Sequence, residues 1–183
     1  MTESRRRDAV MLGIGALVIV LDQLTKHWIV RFFVDPEPYT KHPPIPLVGS
    51  VLELTYVQNR GVAFSLLQGN ALQFLFITVA LIAIGTLYWR SRETGSFPLK
   101  ASFGLVVGGA FGNLVDRLGQ GYVVDFIHFH LGGFDFPVFN VADMGITCGV
   151  ALLAFLLWSG VPSDVEATAK EPVATPVSDP GGR

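Results

Sequence analysis

The stretch that decides the fold is residues 104–143, GLVVGGAFGNLVDRLGQGYVVDFIHFHLGGFDFPVFNVAD. It begins as an apolar run in which Gly104, Gly108 and Gly112 follow one another at intervals of four. This spacing places small residues on one helix face, where a neighbouring transmembrane helix can approach closely. Polar residues end the run, a short segment carries Asp125, and a second apolar run opens at the end of the stretch. Ionisable residues at a membrane boundary indicate a functional site.

The composition around this stretch is that of an integral membrane protein. Of the 183 residues, 50% are hydrophobic and only 15% are charged, whereas soluble domains carry about 25% charged residues. The net charge of −2 indicates nothing about partners, but no basic cluster is dense enough for a nucleic-acid partner. The lone Cys148 excludes an internal disulfide and a thiolate metal cluster, and no cofactor is expected.

Hydrophobic runs predict a mainly α, polytopic membrane protein with four transmembrane helices. The predicted spans are residues 10–29, 71–89, 101–117 and 138–160. The chain starts like a signal peptide, but no small-residue cleavage site follows, so the first span is predicted to stay uncleaved. Asp22 and Lys26 are four residues apart and are therefore predicted to pair on one helix face.

Two segments are predicted to lie outside the membrane, at 31–70 and 118–137. Five prolines make 36–46 a loop, and residues 48–57 are predicted to form a strand. A tight turn or a close backbone approach is expected at Asn59 and Gly61. The sequence therefore predicts a small extracytoplasmic β-cradle, with Asp125 in a second, loop-like segment. Residues 1–160 form one membrane-embedded domain in this interpretation, and the Pro- and Ser-containing tail 161–183 is predicted to be disordered.

Basic residues set the predicted orientation. With four spans both termini lie on one side, and the positive-inside rule assigns that side to the cytoplasm. The basic residues in question are Arg5, Arg6, Arg7, Arg90, Arg92 and Lys100. Polar side chains from three helices then meet at the outer boundary: Asp22, Asn113, Arg117, Asn140 and Asp143.

Carboxylates are the groups at this boundary best suited to chemistry. Two close carboxylates share one proton, so that one acts as a base towards water while the other donates a hydrogen bond to a substrate carbonyl. The residues alone do not decide which two of four acids pair: Asp22, Asp116, Asp125 and Asp143. Asp116 is also a candidate salt-bridge partner of the adjacent Arg117.

Two other kinds of chemistry are weaker alternatives. His128 and His130 alternate with Phe129 as on a strand, and the chain has neither an HExxH nor a CxxC motif, so no metal site is predicted. An ion- or proton-coupled transporter would spread its polar residues through the membrane depth, whereas here they crowd at one boundary. A purely structural adaptor would leave Asp125 without a role.

Five sequence blocks together resemble the bacterial lipoprotein signal peptidase family, signal peptidase II. The blocks are DQLTK at 22–26, NRGVAFS at 59–65, GGAFGNLVDR at 108–117, VDF at 124–126 and FNVAD at 139–143. They occur in order, across residues 10–160, together with the four predicted spans. The resemblance implies an intramembrane aspartyl endopeptidase that cuts prolipoproteins on the amino side of a diacylglyceryl-modified cysteine.

The resemblance also assigns roles to residues. The catalytic pair falls on Asp125 and Asp143. The supporting polar and small residues fall on Asp22, Lys26, Asn59, Gly61, Gly109, Asn113, Arg117, Asn140 and Ala142. The implied fold adds a β-cradle and a periplasmic helix to four membrane helices. The implied setting is the bacterial inner membrane, with the site near the periplasmic face, both termini cytoplasmic, membrane lipid as a partner, globomycin as an inhibitor and a monomeric enzyme.

Overall fold

The computed structural model describes residues 3–34, 42–61, 85–86, 88–89 and 96–159. In this part of the chain the helices are α1 (Glu3–Phe33), α2 (Phe97–Gln120) and α3 (Val141–Ser159), and the strands are β1 (Ile45–Val48), β2 (Leu52–Asn59), β3 (Val123–Leu131) and β4 (Phe134–Asp135). The predicted mainly helical protein with a small sheet is confirmed for these residues.

All three described helices are long and apolar enough to cross a membrane. Helices α1 and α2 extend beyond their predicted spans, and α3 lies within its predicted span. The bounds differ because capping and loop residues determine where a helix ends, whereas hydropathy determines the predicted span. Large apolar side chains such as Leu17, Leu24 and Leu157 are exposed, as expected for a lipid-facing surface. The predicted span 71–89, apart from four of its residues, and the predicted tail 161–183 lie outside the described residues.

Helix α2 is the central helix of the described three. Of the 18 most apolar consecutive residues of α2, 50% are buried, whereas the corresponding share is 17% in α1 and in α3. Its glycines explain why: a side chain at Gly104 or Gly108 would meet the α1 backbone, and one at Gly109 would meet the carbonyl oxygen of Ala142 on α3. The glycine spacing seen in the sequence therefore serves close helix packing on two faces of α2.

Replacing Gly108 by alanine tests this packing. The added Cβ would lie 2.6 Å from the carbonyl oxygen of Gly15, so α1 and α2 must separate, and we expect the free energy of unfolding to fall by about 1–3 kcal/mol. The measurement is the thermal unfolding midpoint in detergent. Gly13→Ala is the matched control, because its Cβ would meet nothing within 4 Å. Equal shifts for both variants would contradict close packing at Gly108.

The sheet has the antiparallel order β1-β2-β3-β4. It corrects two predictions. Residues 48–57 do not form one strand, because a turn at Gly49, with a φ of +50°, separates β1 from β2. Asp125 lies on β3 rather than in a loop. Strand β1 also reaches back into the Pro-rich stretch, which is possible because Pro46 is on an edge strand.

A small apolar core attaches the sheet to the end of α1. Ile29 and Phe33 of α1 are buried together with Val124 and Phe126 of β3. Because β3 starts three residues after α2 ends at Gln120, this core fixes the strand against both helices. The sheet thus holds Asp125 at the end of the helix bundle that carries the predicted polar residues.

Candidate active site

Asp125 occupies a buried position on β3. Only 2% of the surface of this residue is exposed. Its Oδ2 accepts a hydrogen bond from Nδ2 of Asn59 at 2.8 Å, and its Oδ1 accepts one from Nδ2 of Asn140 at 2.7 Å. Both carboxyl oxygens are therefore held, one from β2 and one from the residue before α3.

Burial raises the pKa of Asp125 to about 6. The hydrogen bond from Asn59 opposes that rise because it favours the charged form, and the negative charge of Asp143 adds to it. A carboxyl group with a pKa near 6 can change its protonation state close to neutral pH. This property is typical of a catalytic acid or base.

Asp143 is held by the start of α3. Asn140 precedes the helix and its Oδ1 accepts a hydrogen bond from the backbone N–H of Asp143 at 2.9 Å, while Oδ2 of Asp143 accepts one from the backbone N–H of Asn140 at 3.2 Å. These reciprocal bonds form a capping box with an aspartate in the third helical position. The remaining oxygen, Oδ1, accepts a hydrogen bond from Nδ2 of Asn113 at 2.8 Å.

Asn140 therefore contacts both candidate carboxylates. Its neighbour Phe139 is paired with β3: the N–H of Ile127 donates to the Phe139 carbonyl at 2.9 Å, and the N–H of Phe139 donates to the Ile127 carbonyl at 3.0 Å. This backbone pairing explains how residues 15 apart in the sequence, Asp125 and Asn140, come within hydrogen-bond distance.

Lys26 is the buried cation of the site. Its Nζ lies 2.7 Å from Oδ2 of Asp22 and 3.0 Å from Oδ2 of Asp116, and it donates to Oδ1 of Asn113 at 2.9 Å. Because a lysine can only donate, Oδ1 of Asn113 must face it, and the amide nitrogen of Asn113 is left to donate to Asp143. The predicted pairing of Asp22 with Lys26 is confirmed.

The salt-bridge partner of Asp116 is not the candidate Arg117. Asp116 pairs with Lys26 rather than with the adjacent Arg117, because neighbouring residues on a helix point in different directions. Its Oδ2 also accepts a hydrogen bond from the backbone N–H of Val124, at 3.1 Å. Gln23, which the sequence did not single out, donates to Oδ1 of Asp116 at 3.0 Å. Its place in the DQLTK block at 22–26, next to Asp22, is the signal that the sequence offers for it.

The other predicted residues surround this network. Oδ1 of Asp22 accepts a hydrogen bond from the backbone N–H of Ala142 at 2.9 Å. Gly61 has a φ of +84° and donates its N–H to Oδ1 of Asn59 at 2.8 Å, so the predicted turn is confirmed and Asn59 is oriented by it. Arg117 donates to the carbonyl oxygen of Asn113 at 3.3 Å. Gly109 contributes only the close approach of α2 to α3.

The arrangement contains two carboxylates in different surroundings. Asp125 is almost fully buried, whereas Asp143 is partly exposed. Three amide side chains, from Asn59, Asn113 and Asn140, hold their oxygens in place. The buried Lys26 is linked to Asp143 by two hydrogen bonds, one on each side of the Asn113 amide. Such a site suits acid–base chemistry on a substrate that reaches it from the side of Asp143.

Sequence comparison decides the family. The family described as Signal peptidase (SPase) II matches residues 14–159. A lipoprotein signal peptidase of Caldicellulosiruptor bescii is 50% identical over 138 residues, which cover 75% of this chain and 83% of that protein. The chain belongs to the signal peptidase II family. Another lipoprotein signal peptidase, from Geobacillus kaustophilus, is 41% identical over 140 residues, covering 76% of this chain and 87% of that protein.

Two solved structures of bacterial membrane enzymes, both determined by the in meso method, share the fold. Their TM-scores are 0.69 and 0.65 at 28% and 26% sequence identity. They cover 84% and 90% of this chain, and 95% and 94% of their own lengths is matched. The chain is thus a peptidase of a membrane enzyme family, and these matches give no support to the transporter alternative.

The hydrogen bond from Asn59 to Asp125 allows a prediction about the pH dependence of this signal peptidase II family member. The bond favours ionised Asp125, so in Asn59→Ala the pKa of Asp125 rises above its value of about 6. We expect the limb of the kcat/KM profile near pH 6 to move to higher pH. Cleavage rates across a pH series measure this. Gln58→Ala is the control, since that side chain is exposed and does not touch Asp125. If the pH profile of Asn59→Ala matched that of the wild type, ionisation of Asp125 would not be what controls cleavage near pH 6.

Proposed function

We propose that the chain is an intramembrane aspartyl endopeptidase that removes the signal peptide from diacylglyceryl-modified prolipoproteins, cutting on the amino side of the lipidated cysteine. The catalytic pair is Asp125 and Asp143. The observation that carries the proposal is the contact of Asn140 with both carboxylates. Together with the peptidase family of the chain, it favours the aspartyl mechanism with this pair. The carboxylates of Asp22 and Asp116 are also bridged, but the buried Lys26 neutralises them.

The mechanism follows from one proton shared by two carboxylates. The ionised carboxylate removes a proton from a water molecule as the water oxygen attacks the scissile carbonyl carbon. The protonated carboxyl group donates a hydrogen bond, and then its proton, to the carbonyl oxygen, which gives a tetrahedral diol. As the diol collapses and the C–N bond breaks, the carboxyl group that took a proton from water gives it to the leaving amine nitrogen. The other carboxylate takes back a proton from a diol hydroxyl, which restores the pair. Proton transfer of this kind contributes about 10²–10⁴ in rate.

The supporting residues act by holding this pair in position. Asn59 and Asn140 fix the oxygens of Asp125, and Asn113 fixes Asp143. Lys26 fixes Asn113 and balances the charges of Asp22 and Asp116. Rigid support of this kind keeps reacting groups within a fraction of an ångström of the productive geometry. The remaining members of the supporting set are Gly61, Gly109, Arg117 and Ala142.

The proposed setting is the bacterial inner membrane. In it the predicted span 71–89 supplies a fourth transmembrane helix, both termini are cytoplasmic and the sheet lies on the periplasmic side. The acyl chains of the substrate remain in the bilayer, where each buried methylene contributes about 0.8 kcal/mol. Membrane lipid is therefore a proposed partner. The family resemblance adds globomycin as an expected inhibitor and a monomeric enzyme.

A gel-shift cleavage assay tests the proposal. Purified enzyme in detergent receives either a diacylglyceryl-modified prolipoprotein or the same precursor without the lipid. We expect cleavage of the modified form alone, with a new amino terminus at the lipidated cysteine. Equal cleavage of both forms would contradict lipid-dependent recognition. A folded enzyme that is inert towards both would contradict the proposed activity.

A further inference from the structure

A second cluster of titratable side chains lies on the sheet, outside the candidate active site. Glu53 on β2 is paired in register with His128 on β3, and His130 on β3 is paired with Asp135 on β4. His128 and His130 are two residues apart on one strand, so they project from the same face of the sheet. Three strands thus deliver two imidazoles and two carboxylates to one place.

The distances within the cluster suit a tetrahedral metal ion. Oε1 of Glu53 lies 3.1 Å from Nδ1 of His128 and 3.3 Å from Nε2 of His130. The ligand atoms of these three residues all lie within 4.8 Å of one another. Zinc bonds of about 2.0–2.1 Å to nitrogen and oxygen at tetrahedral angles separate neighbouring ligand atoms by about 3.3 Å. The distances from Glu53 to His128 and from Glu53 to His130 therefore already match those of a tetrahedral zinc site.

Asp135 orients one of the ligands. Its Oδ1 lies 2.6 Å from Nδ1 of His130. A carboxylate in that position accepts the Nδ1–H bond, which leaves Nε2 of His130 as the unprotonated nitrogen facing Glu53. A carboxylate behind a histidine ligand is the usual outer partner in zinc sites, where it fixes the ring and the tautomer.

We propose that Glu53, His128 and His130 bind one Zn²⁺ ion, with Asp135 as the outer partner of His130. The ligands come from two strands, so no linear motif announces them, which is why the sequence predicted no metal site. Among the described residues the four side chains of this cluster bond to one another, and none of them bonds to Asp125 or to the amides that hold it. The ion therefore does not enter the peptidase chemistry. It joins β2 to β3 and stiffens the sheet that carries Asp125.

Zinc binding is tested on the full-length protein in detergent, purified without a polyhistidine tag and stripped with a chelator. Isothermal titration with Zn²⁺ alone is expected to show one equivalent per chain, and Co²⁺ is expected to give the visible absorption of a four-coordinate site. The thermal unfolding midpoint is expected to rise with Zn²⁺. A wild-type protein that takes up no Zn²⁺, or shows no change in midpoint with it, overturns the proposal.

Variants locate the site. We expect Glu53→Gln and His128→Gln to lose the Zn²⁺ heat signal, and Asp135→Asn to weaken the affinity by about 10–100-fold. His27→Gln is the matched control, because His27 is an exposed histidine on α1 that does not belong to the cluster. The Zn²⁺ affinity of this variant is expected to equal that of the wild type. The side chain of Asp135 is 74% exposed, so Asp135→Asn is expected to fold even where a variant of the less exposed Glu53 or His128 does not. Wild-type affinity in all three cluster variants overturns the assignment.

Discussion

Asp125→Asn and Asp143→Asn are each expected to lower kcat for prolipoprotein cleavage by at least about a thousandfold. Removing either carboxylate removes the shared proton or the base that activates water, and general acid–base groups contribute about 10²–10⁴ each in rate. The two losses should not add in the double variant, because the pair acts as one unit. Single-turnover cleavage of a lipid-modified precursor measures the rates.

Folding must be separated from chemistry in this comparison. Asparagine keeps the size of aspartate, and at position 143 its side-chain oxygen can still accept the hydrogen bond from the Asn140 backbone, so the first turn of α3 is preserved. Gel filtration and thermal unfolding check that both variants stay folded. Glu3→Gln serves as control, since Glu3 is an exposed carboxylate at the far end of α1. Wild-type turnover by either aspartate variant would move the catalytic role to another acid.

Lys26→Met is expected to cause the largest loss of stability, about 3–5 kcal/mol. The Lys26 side chain is only 3% exposed and lies between the buried carboxylates of Asp22 and Asp116. Without the lysine, two negative charges remain uncompensated in a low-dielectric interior, which is far costlier than removing an exposed ion pair. The measurements are the thermal unfolding midpoint and the monodisperse fraction in detergent.

A charge-balanced variant makes this prediction specific. Lys26→Met combined with Asp22→Asn and Asp116→Asn removes the cation and both anions, so much of the lost stability is expected to return. Arg6→Met is the control, because Arg6 is an exposed cation on the same helix and its loss should change the midpoint little. Destabilisation of the triple variant equal to that of Lys26→Met would show that packing of the lysine stem, rather than its charge, stabilises the site.

Helices and glycine packing were predictable because hydropathy and small-residue spacing are local properties of the sequence. The Asp22–Lys26 pair was predictable for the same reason, as its members are one helical turn apart. The partner of Asp116 was not: Lys26 lies on a different helix, and only packing of α1 against α2 brings the two together. The same limit applies to Gln23, whose hydrogen bonds reach across to α2.

Strand boundaries were harder to predict than helices. The turn between β1 and β2 is short, and the β-branched Val48 and Val51 on either side of Gly49 and Ser50 favour one continuous strand. The sequence predicts a loop at Asp125, because a charged residue in a short segment between two apolar runs is typical of a loop. Its strand is stabilised by partners distant in sequence, β2 and Phe139.

The double attachment of Asn140 has a mechanical consequence. Asp143 is tied to it through the first helical turn, and Asp125 through its amide and through the Phe139–β3 pairing. The spacing of the two carboxylates is therefore set within one short piece of the chain rather than by how far apart the helices stand. If the helices separate to admit an apolar peptide from the bilayer, the distance between these two carboxylates can therefore stay constant.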